Sequence, residues 1–308
     1  MAEEKKATDL SLTVAAAEAG MRVDIFLAQA DPSFSRSQIK GAIEKGDVRV
    51  NGRVPKAGLL LKEGDKVKLH MEPARVPVAV AQDIALDIVY EDSSLIVINK
   101  PAGMVVHPAP GNPDRTLVNA LLHHCDELAG GGDALRPGIV HRIDKETSGL
   151  IVFARHAEAH RRLNRLFETR AIDKTYLALV QGVIAGDDGV IDRPLRQFGS
   201  GRVAVDLERG KPSATEFRVA ERFRSQTLVE ARPRTGRRHQ IRVHLYSLGH
   251  PIAGDPVYGD EATRQGFARM MLHAWRLGLT LLSSRQLTLE APIPESFQAG
   301  LRIATAGQ

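Results

Sequence analysis

The sequence predicts an α+β protein in which a large domain with a mixed, largely antiparallel sheet, flanked by helices and loops, follows a small α/β domain. Candidate strands and helices follow one another in no fixed order from about residue 84 onward. Before them, residues 72–83 contain two prolines and show no hydrophobic period, which is typical of a linker. We therefore expect a small domain over residues 1–75, a linker over 76–84 and a large domain over 85–308.

The composition is that of an ordinary globular protein, with 308 residues of which 43% are hydrophobic and 26% charged. The one cysteine, Cys125, excludes an internal disulfide framework and is typical of a reducing compartment. The N-terminal residues lack the apolar stretch of a secretory signal, and no apolar run reaches the roughly 18 residues of a membrane helix. We expect a soluble, cytoplasmic protein.

A net charge of +5 permits a polyanionic partner without requiring one. The distribution of charge is more informative, because residues 231–242 contain five arginines and no acid. The planar guanidinium group matches the geometry of phosphate, although charge alone is equally compatible with a solvated basic surface. These arginines are Arg232, Arg234, Arg237, Arg238 and Arg242.

The small domain carries local signals for two helices and two strands. Helices are predicted over residues 21–27 and 36–43, and the hydroxyl of Ser35 could cap the second. An alternating run then meets Asn51-Gly52, which is a strong hairpin signal. A further alternating run over residues 66–69 places its two lysines on one face.

Four short motifs occur in order over about residues 20–69: Arg-Val-Asp-x-Phe-Leu, Ser-Arg-Ser-x-Ile, Val-x-Val-Asn-Gly and Gly-Asp-x-Val. This order resembles the small RNA-binding domain named after ribosomal protein S4. In that family the two-helix face carries the RNA contacts. The resemblance implies that Arg36 and Lys40, one helical turn apart, contact phosphates.

The large domain is predicted to contain seven strands and three helices. A run of glycines at 130–132 is interpreted as a flexible loop, since no Gly-Lys-Ser/Thr follows it to form a phosphate cradle. The predicted strands are 86–90, 95–99, 149–154, 175–180, 215–220, 227–231 and 287–291, and the predicted helices are 116–125, 157–169 and 237–247.

The densest group of polar residues, 141–149, comes directly before the apolar run 150–154. Loops beside a buried strand are where a rigid scaffold presents reactive groups. Within this loop Asp144 is the candidate for chemistry. Taken alone, an aspartate in such a position is more often a turn former whose carboxylate accepts nearby backbone amides.

Other chemistries find little support in the sequence. No Gly-x-Ser-x-Gly nucleophile elbow occurs. His156 and His160 lie four residues apart, but the glutamate that directly follows the first histidine of a zinc-protease motif is missing, and a single cysteine offers no cluster. We expect no metal and no nucleotide cofactor.

Residues 141–149, His-Arg-Ile-Asp-Lys-Glu-Thr-Ser-Gly, resemble the signature of the RluA-type pseudouridine synthases, with Ile143 where that family has leucine. The likeness spans about residues 86–294, and within the family it is strongest to enzymes of large-subunit ribosomal RNA. The further matching motifs are 90–92, 99–101, 106–108, 174–176, 235–244, 254–259 and 272–274.

The resemblance implies an isomerase that flips a uridine out of large-subunit (23S) ribosomal RNA, cleaves its glycosidic bond, rotates the base and rejoins it through C5. Nothing is oxidised and no group is transferred, so no cofactor is needed. The family's essential aspartate corresponds to Asp144, either as nucleophile or as the base that removes a ribose proton.

Five further residues take implied roles. Tyr176 corresponds to the tyrosine that stacks on the flipped base, and Arg242 to the basic residue that pairs with the aspartate. Arg142 corresponds to a residue inserted where the target nucleotide leaves the stack. Arg237 and Arg238 are expected to contact RNA. We interpret the pair at 272–273 as structural.

Two other functions stay open on the sequence alone. One is a non-catalytic ribosome-assembly factor on the same scaffold, which would have no need for Asp144, Tyr176 and Arg242 together. The other is a metal-free nucleic-acid hydrolase with Asp144 and His141 as an acid–base pair. The mass of the product separates them, because isomerisation leaves RNA length and mass unchanged.

Overall fold

A computed structural model of the chain describes residues 8–306, apart from 32, 33, 35, 57, 72–77, 110, 126, 127 and 130–134. The chain divides into two compact units, residues 1–76 and 77–308. Three features predicted from the sequence fall at least partly outside the described residues: the cap at Ser35, the first two residues of the linker, and the glycine loop at 130–132.

The described part of the smaller unit is a three-stranded antiparallel sheet packed against two helices. Its strands β1 (Thr8–Thr13), β2 (Val48–Val50) and β3 (Lys66–Met71) follow the spatial order β1-β3-β2. Phe26, Leu27, Ile39 and Ile43 on the helices pack with the sheet residue Val67 in one apolar core, because each helix turns its apolar face to the sheet. The elements are β1 (Thr8–Thr13), a 3₁₀ turn (Ala16–Glu18), α1 (Val23–Ala30), α2 (Arg36–Lys45), β2 (Val48–Val50) and β3 (Lys66–Met71).

The predicted turn at Asn51-Gly52 forms. Both residues have positive φ, 49° and 80°, as the central positions of a type I′ turn require. Backbone hydrogen bonds join Val50 and Arg53 in both directions across it. The hairpin continues no further, since β2 pairs with β3 instead of with the residues directly after the turn.

The larger unit contains all of the predicted strands and helices, shifted by a few residues at their ends. Six further elements were not predicted: the strands β8 (Asp188–Asp192), β9 (Leu195–Gln197), β10 (Val203–Val205) and β13 (Leu272–Thr280) and the helices α6 (Glu261–Arg264) and α7 (Glu295–Ala306). Its elements are β4 (Ile88–Glu91), β5 (Leu95–Lys100), α3 (Leu117–His124), β6 (Ser148–Ala154), α4 (Ala157–Glu168), β7 (Asp173–Gln181), β8 (Asp188–Asp192), β9 (Leu195–Gln197), β10 (Val203–Val205), β11 (Ala214–Arg222), β12 (Gln226–Pro233), α5 (Gln240–Ser247), α6 (Glu261–Arg264), β13 (Leu272–Thr280), β14 (Gln286–Glu290) and α7 (Glu295–Ala306).

Nine of these strands form one sheet in the order β4-β5-β6-β13-β7-β12-β11-β8, with β14 paired to β13. Among the described strands, only β6 and β13 run parallel, and the other pairings are antiparallel. Strands β9 and β10 form a separate two-stranded ribbon. The predicted α+β fold with a largely antiparallel sheet is confirmed.

The parallel contact between β6 and β13 lies at the centre of the sheet. It is short, with Ser148 opposite His273 and Gly149 opposite Ala274. Gly149 has φ 106°, and a Cβ atom there would lie 2.2 Å from the carbonyl oxygen of Ala274. Only glycine fits this approach, which fixes the end of the loop 141–147 against the middle of the sheet.

Part of the predicted linker packs on the larger unit. Ala79 is buried, the side chain of Asn119 at the start of α3 donates to the carbonyl of Val80 (2.7 Å), and the amide of Gln82 donates to the carbonyl of Asn119 (2.9 Å). Residues 79–82 of the predicted linker are therefore in contact with the larger unit. A segment without hydrophobic period can still add backbone hydrogen bonds to a helix end.

Candidate active site

A cleft of about 1050 Å³ opens between the loop 141–147, the start of β7 and the arginine-rich segment 232–242. Its lining includes Arg142, Asp144, Tyr176 and Arg242, which lie far apart in the sequence. The sheet brings them together because β6, β13 and β7 are neighbours, so the loop before β6 faces the first residues of β7.

A buried lysine donates a hydrogen bond to the backbone of the loop that carries Asp144. Lys100, at the end of β5, is fully buried and its Nζ donates to the carbonyl of Lys145 at 3.0 Å. The amide of Gly103 donates to the same carbonyl at 2.9 Å. Burial, reinforced by the charge of Arg269, lowers the pKa of Lys100 to about 7. The residue next to Asp144 is thus anchored by two donors from another part of the chain.

The partly buried side chain of Arg269 holds the end of the same loop. Arg269 donates through Nη2 to the carbonyl of Glu146 at 3.3 Å and to Oγ of Ser148 at 2.9 Å. Ser148 also hydrogen-bonds Nδ1 of His273 at 2.8 Å. These contacts join the loop to β13 and support the interpretation of His273 as structural.

The carboxylate of Asp144 is bound by a guanidinium and stays open to the cleft. Its Oδ2 accepts from Nη1 of Arg242 at 3.0 Å, its Oδ1 lies 3.9 Å from Nε2 of His239, and 19% of the side chain is exposed. The main chain does form a turn, since the amide of Thr147 donates to the carbonyl of Asp144. Yet no described backbone amide donates to its carboxylate, so the side chain is not the turn former that its position alone suggested.

Arg242 is itself fixed by a second carboxylate. Its Nε and Nη2 donate to the two oxygens of Asp255 at 2.7 and 2.8 Å, which leaves Nη1 for Asp144. Asp255 is fully buried and also accepts from the amides of Val257 and Tyr258. Burial opposes ionisation of Asp255, but the hydrogen bonds and charge of Arg242 outweigh it and keep its pKa below the usual value.

The pair predicted between Asp144 and Arg242 is therefore present, and it is one half of a three-residue network. Burial favours the neutral form of Arg242, but its bonds to Asp255 and Asp144 raise its pKa instead. Asp255 was missed by the sequence reasoning, although it stands in the matched motif 254–259. The available signal for Asp255 was its place between a glycine and a proline in that motif. Nothing in the neighbouring sequence indicated that it pairs with Arg242.

Tyr176 lies near the start of β7, partly buried, and lines the cleft. Burial raises the pKa of its phenol, and the negative charge of Asp144 raises it further. The ring therefore stays neutral and can offer an uncharged aromatic surface beside the carboxylate.

His141 belongs to the scaffold. Its Nε2 accepts from the amide of Val152 at 2.9 Å, and its ring stacks on Phe167 with 4.6 Å between ring centroids. Burial, aided by the charge of Lys174, lowers its pKa to about 3. His141 accepts a backbone hydrogen bond within the scaffold, and no hydrogen bond or ion pair among the described residues joins it to Asp144, so the structure does not support the acid–base pair of the hydrolase hypothesis.

His239 lines the cleft, Tyr258 lies behind it, and neither was singled out from the sequence. His239 has φ 54°, and its Nδ1 lies 2.8 Å from the hydroxyl of Tyr258. Burial and the charges of Arg242 and Arg238 lower the pKa of His239 to about 4 against the opposing effect of Asp144. Tyr258 is buried, and its ring lies 5.0 Å from the guanidinium of Arg242.

Known proteins with similar sequences decide the family. Residues 94–247 match the family described as RNA pseudouridylate synthase, and residues 21–67 match the S4 domain. The chain is 42% identical over 288 residues to an uncharacterized RNA pseudouridine synthase of Bacillus subtilis, covering 93% of this chain and 95% of the relative. The chain belongs to the RNA pseudouridine synthase family.

Further relatives agree with this assignment. Ribosomal large subunit pseudouridine synthase D of Pseudomonas aeruginosa is 40% identical over 292 residues, 90% of each chain. The solved structure of human RNA pseudouridylate synthase domain containing 1 superposes with a TM-score of 0.58 at 29% identity, covering 74% of this chain and 89% of the human one. The chain is thus an RNA pseudouridine synthase, an isomerase, and the resemblance found in the sequence is confirmed.

The arginines of the synthase differ in their partners. Arg232 and Arg234 pair with Glu230 and Glu216. Arg142, Arg237 and Arg238 are exposed, line the cleft and form no ion pair with any residue that the structure describes. Contacts with RNA are predicted from the sequence for these last three residues, and their charges are available for phosphate.

In the smaller unit of the synthase, Arg36 has a structural partner. Its Nη2 donates to Asp24 at 3.0 Å, and Arg22 binds the same carboxylate at 2.9 Å. Burial opposes the charge of Asp24, but these two arginines lower its pKa. Arg36 therefore joins α2 to α1 with part of its hydrogen-bonding capacity, while Lys40 is exposed. The predicted phosphate contacts of both stay predictions.

One described group of side chains has the composition of a metal site. Ligand atoms of Glu91, His124 and Cys125 lie within 4.8 Å of one another. Glu91 already binds Arg155 at 2.8 Å, and none of the three lines the cleft. Within the described ranges, no helix combines the length and apolar character needed to span a bilayer.

Proposed function

We propose that this synthase converts specific uridines of large-subunit (23S) ribosomal RNA to pseudouridine in the cytoplasm, with Asp144 as the catalytic residue. The observation that carries the proposal is the Asp144–Arg242–Asp255 network, open on one side to a cleft edged with exposed arginines that meet no acid among the described residues. Relatives of about 40% identity named ribosomal large subunit pseudouridine synthase D support the choice of RNA.

The network prepares Asp144 for either of two first steps. The ionised carboxylate can attack C1′ of the ribose, or it can remove a ribose proton. Both steps need a charged and oriented carboxylate. Arg242 binds Oδ2 of Asp144, and Asp255 fixes the direction of Arg242. Among the described residues, no donor lies closer to Oδ1 of Asp144 than His239 at 3.9 Å. That oxygen is free to face a substrate.

The balance of the reaction explains why the cleft needs no cofactor. The bond from C1′ to N1 breaks, the uracil turns within the cleft, and a bond from C1′ to C5 forms. C5 loses one proton and N1 gains one. The RNA keeps its length and mass, so no oxidant, reductant or group donor takes part.

The remaining cleft residues are suited to hold a flipped nucleotide. The ring of Tyr176 offers a stacking surface for the base, and the exposed guanidinium groups of Arg142, Arg237 and Arg238 offer contacts for the phosphates around it. Binding should be mainly electrostatic, and selection should depend on RNA shape and on which uridine can be unstacked.

The experiment is to incubate the purified full-length protein with transcripts of large-subunit RNA, small-subunit RNA and a transfer RNA. Pseudouridine is mapped by its carbodiimide adduct, and RNA mass and length are measured in parallel. We expect pseudouridine at a few positions of the large-subunit transcript, with mass and length unchanged. Shortened RNA, or modification confined to the other two transcripts, would contradict the proposal.

A further inference from the structure

The ribbon formed by β9 and β10 ends in a tight tip at residues 198–202. The amide of Phe198 donates to the carbonyl of Arg202 at 2.9 Å, and the amide of Gly201 donates to the carbonyl of Phe198 at 2.8 Å. Gly201 has φ 82°, a conformation that suits glycine in such a turn. The tip therefore has a defined backbone that sets the position of its side chains.

The ribbon is fixed to the elements that form the candidate active site. Leu195 and Val203 are buried against Val243 of α5 and against Tyr258. The amide of Val203 donates to the hydroxyl of Tyr258 at 3.1 Å, and the same hydroxyl bonds His239 beside Asp144. A ligand that contacts the tip is thus held in a fixed position relative to the cleft.

Phe198 at this tip is 42% exposed. The guanidinium of Arg196 lies 5.2 Å from the centre of its ring, and that arginine is also paired with Asp206. Arg202 is exposed and forms no ion pair within the described part of the chain. A Cβ atom on Gly201 would lie 3.9 Å from Nη1 of Arg238, which lines the cleft. An open phenyl ring therefore stands among arginines at the cleft rim.

This arrangement suits an unpaired nucleotide. Exposed aromatic rings beside arginines are the stacking surfaces on which proteins hold single-stranded bases. Phe198 does not line the cleft that contains Asp144, so a base stacked on its ring is not the target uridine. We propose that Phe198 stacks on a second, unpaired base of the RNA, while Arg202 and Arg238 contact its backbone. The inference rests on the proposed RNA substrate.

The test uses full-length protein and an unmodified stem-loop of large-subunit RNA that contains a uridine converted by the parent protein. Phe198→Ala, Phe198→Leu and Phe198→Trp are compared in active protein for kcat and KM. The same variants are compared in Asp144→Asn protein for Kd. A series of RNAs with one abasic nucleotide near the target identifies the stacked base.

We expect Phe198→Ala to raise Kd and KM by about 5- to 100-fold with kcat unchanged, because the stacking of one base on an aromatic ring contributes that much to affinity. Phe198→Leu, which keeps apolar area but no ring, should resemble the alanine variant, and Phe198→Trp should bind like the parent. For one abasic RNA, the Kd for the parent protein should equal the Kd of the intact RNA for Phe198→Ala. The affinity of that abasic RNA should fall no further when the protein carries Phe198→Ala.

Equal affinity of Phe198→Ala and the parent overturns the inference, as does full binding by Phe198→Leu. A loss seen only on assembled large-subunit particles, and not on RNA, would make the tip a protein-binding surface and also overturn it. If the parent forms no pseudouridine but Phe198→Ala still weakens RNA binding, the proposed reaction fails and the stacking contact stands. If pseudouridine forms and Phe198→Ala binds normally, only the stacking contact fails.

Discussion

Arg242 and the pair Arg237 and Arg238 stand within six residues of one another, on the same wall of the cleft, and have opposite environments. The side chain of Arg242 is 5% exposed and binds two carboxylates. Arg237 and Arg238 are exposed and meet no acid among the described residues. In the sequence all three belong to one basic run, so burial and pairing, not charge, separate the arginine that acts on Asp144 from those available to RNA.

The difference has an energetic consequence. Removal of a buried cation leaves its carboxylates without a partner in a site of low polarity, which is costly. Removal of an exposed, unpaired arginine changes stability little, but it takes away a charge that a phosphate would bind. The buried group should therefore control rate and stability, and the exposed group should control affinity and salt dependence.

The largest effect is expected from Asp144→Asn. The variant keeps the shape of the side chain and loses its charge, so the rate at saturating RNA should fall by about a thousand-fold or more while Kd for RNA stays within a few-fold. Single-turnover kinetics and filter binding measure the two quantities. Glu146→Gln, which removes one negative charge from the same loop, is the matched control and should keep most of the rate. Near-normal turnover by Asp144→Asn would remove the basis of the mechanism.

Arg242→Met should lower both activity and stability. Because Asp255 is fully buried and would lose its bidentate partner, the free energy of unfolding should fall by about 3–5 kcal/mol. Arg242→Lys keeps the charge but cannot bond Asp144 and Asp255 together, so it should recover only part of both losses. Urea unfolding and single-turnover rates check this. A Met variant with parental stability would mean that the network does not support the fold.

The buried region should also make stability depend on pH. Burial lowers the pKa of His141 to about 3 and those of His239 and His273 to about 4. The unfolded chain binds these protons near pH 6.5, so it holds more protons than the folded chain at lower pH. Stability from these groups is complete above pH 6.5 and is lost as pH falls toward 4, by up to about 1.4 kcal/mol per pH unit for each group.

Urea unfolding between pH 7 and pH 4 measures that loss. His141→Gln keeps an acceptor for the amide of Val152 but cannot take a proton, so it should reduce the slope. His123→Gln, at an exposed position, is the control and should leave the slope unchanged. Stability that is constant over this range, or equal slopes in both variants, would contradict the assignment of buried neutral histidines.

The smallest effect on the folded protein is expected from the double variant Arg237→Gln and Arg238→Gln. Its free energy of unfolding should stay within about 0.5 kcal/mol of the parent. Its KM should rise with kcat retained, and the slope of log Kd against log salt should fall by about 0.7–0.9 for each phosphate that the variant no longer neutralises. Arg302→Gln on α7, outside the cleft, is the control. An unchanged salt slope would mean that the two arginines do not bind phosphate.

Local patterns predicted the loop of Asp144 and the buried strand β6 after it, because both are short-range features of composition and period. Strand β13 was missed although it lies at the centre of the sheet. Arg276 and Gly278 interrupt its apolar run, and its partners β6 and β7 are about a hundred residues away in the sequence.

The same limit applies to single interactions. Asp255 binds Arg242 across 13 residues, and Arg242 binds Asp144 across 98. No local signal specifies such a pairing. Arg36 was predicted to bind phosphate from a motif, and the motif could not show that Asp24, 12 residues earlier, holds its guanidinium. A neutralising variant of Arg36 would thus also test the fold, which makes Lys40 the cleaner probe of that surface.

The most direct measurement maps pseudouridine in large-subunit ribosomal RNA from cells that lack this chain and are complemented with either the parent or Asp144→Asn. Equal amounts of the two proteins must be present. We expect a small set of positions that are pseudouridine in cells with the parent, and uridine both in cells that lack the chain and in cells with the variant. Pseudouridine restored by Asp144→Asn, or a large-subunit map that is the same in all three strains, would contradict it.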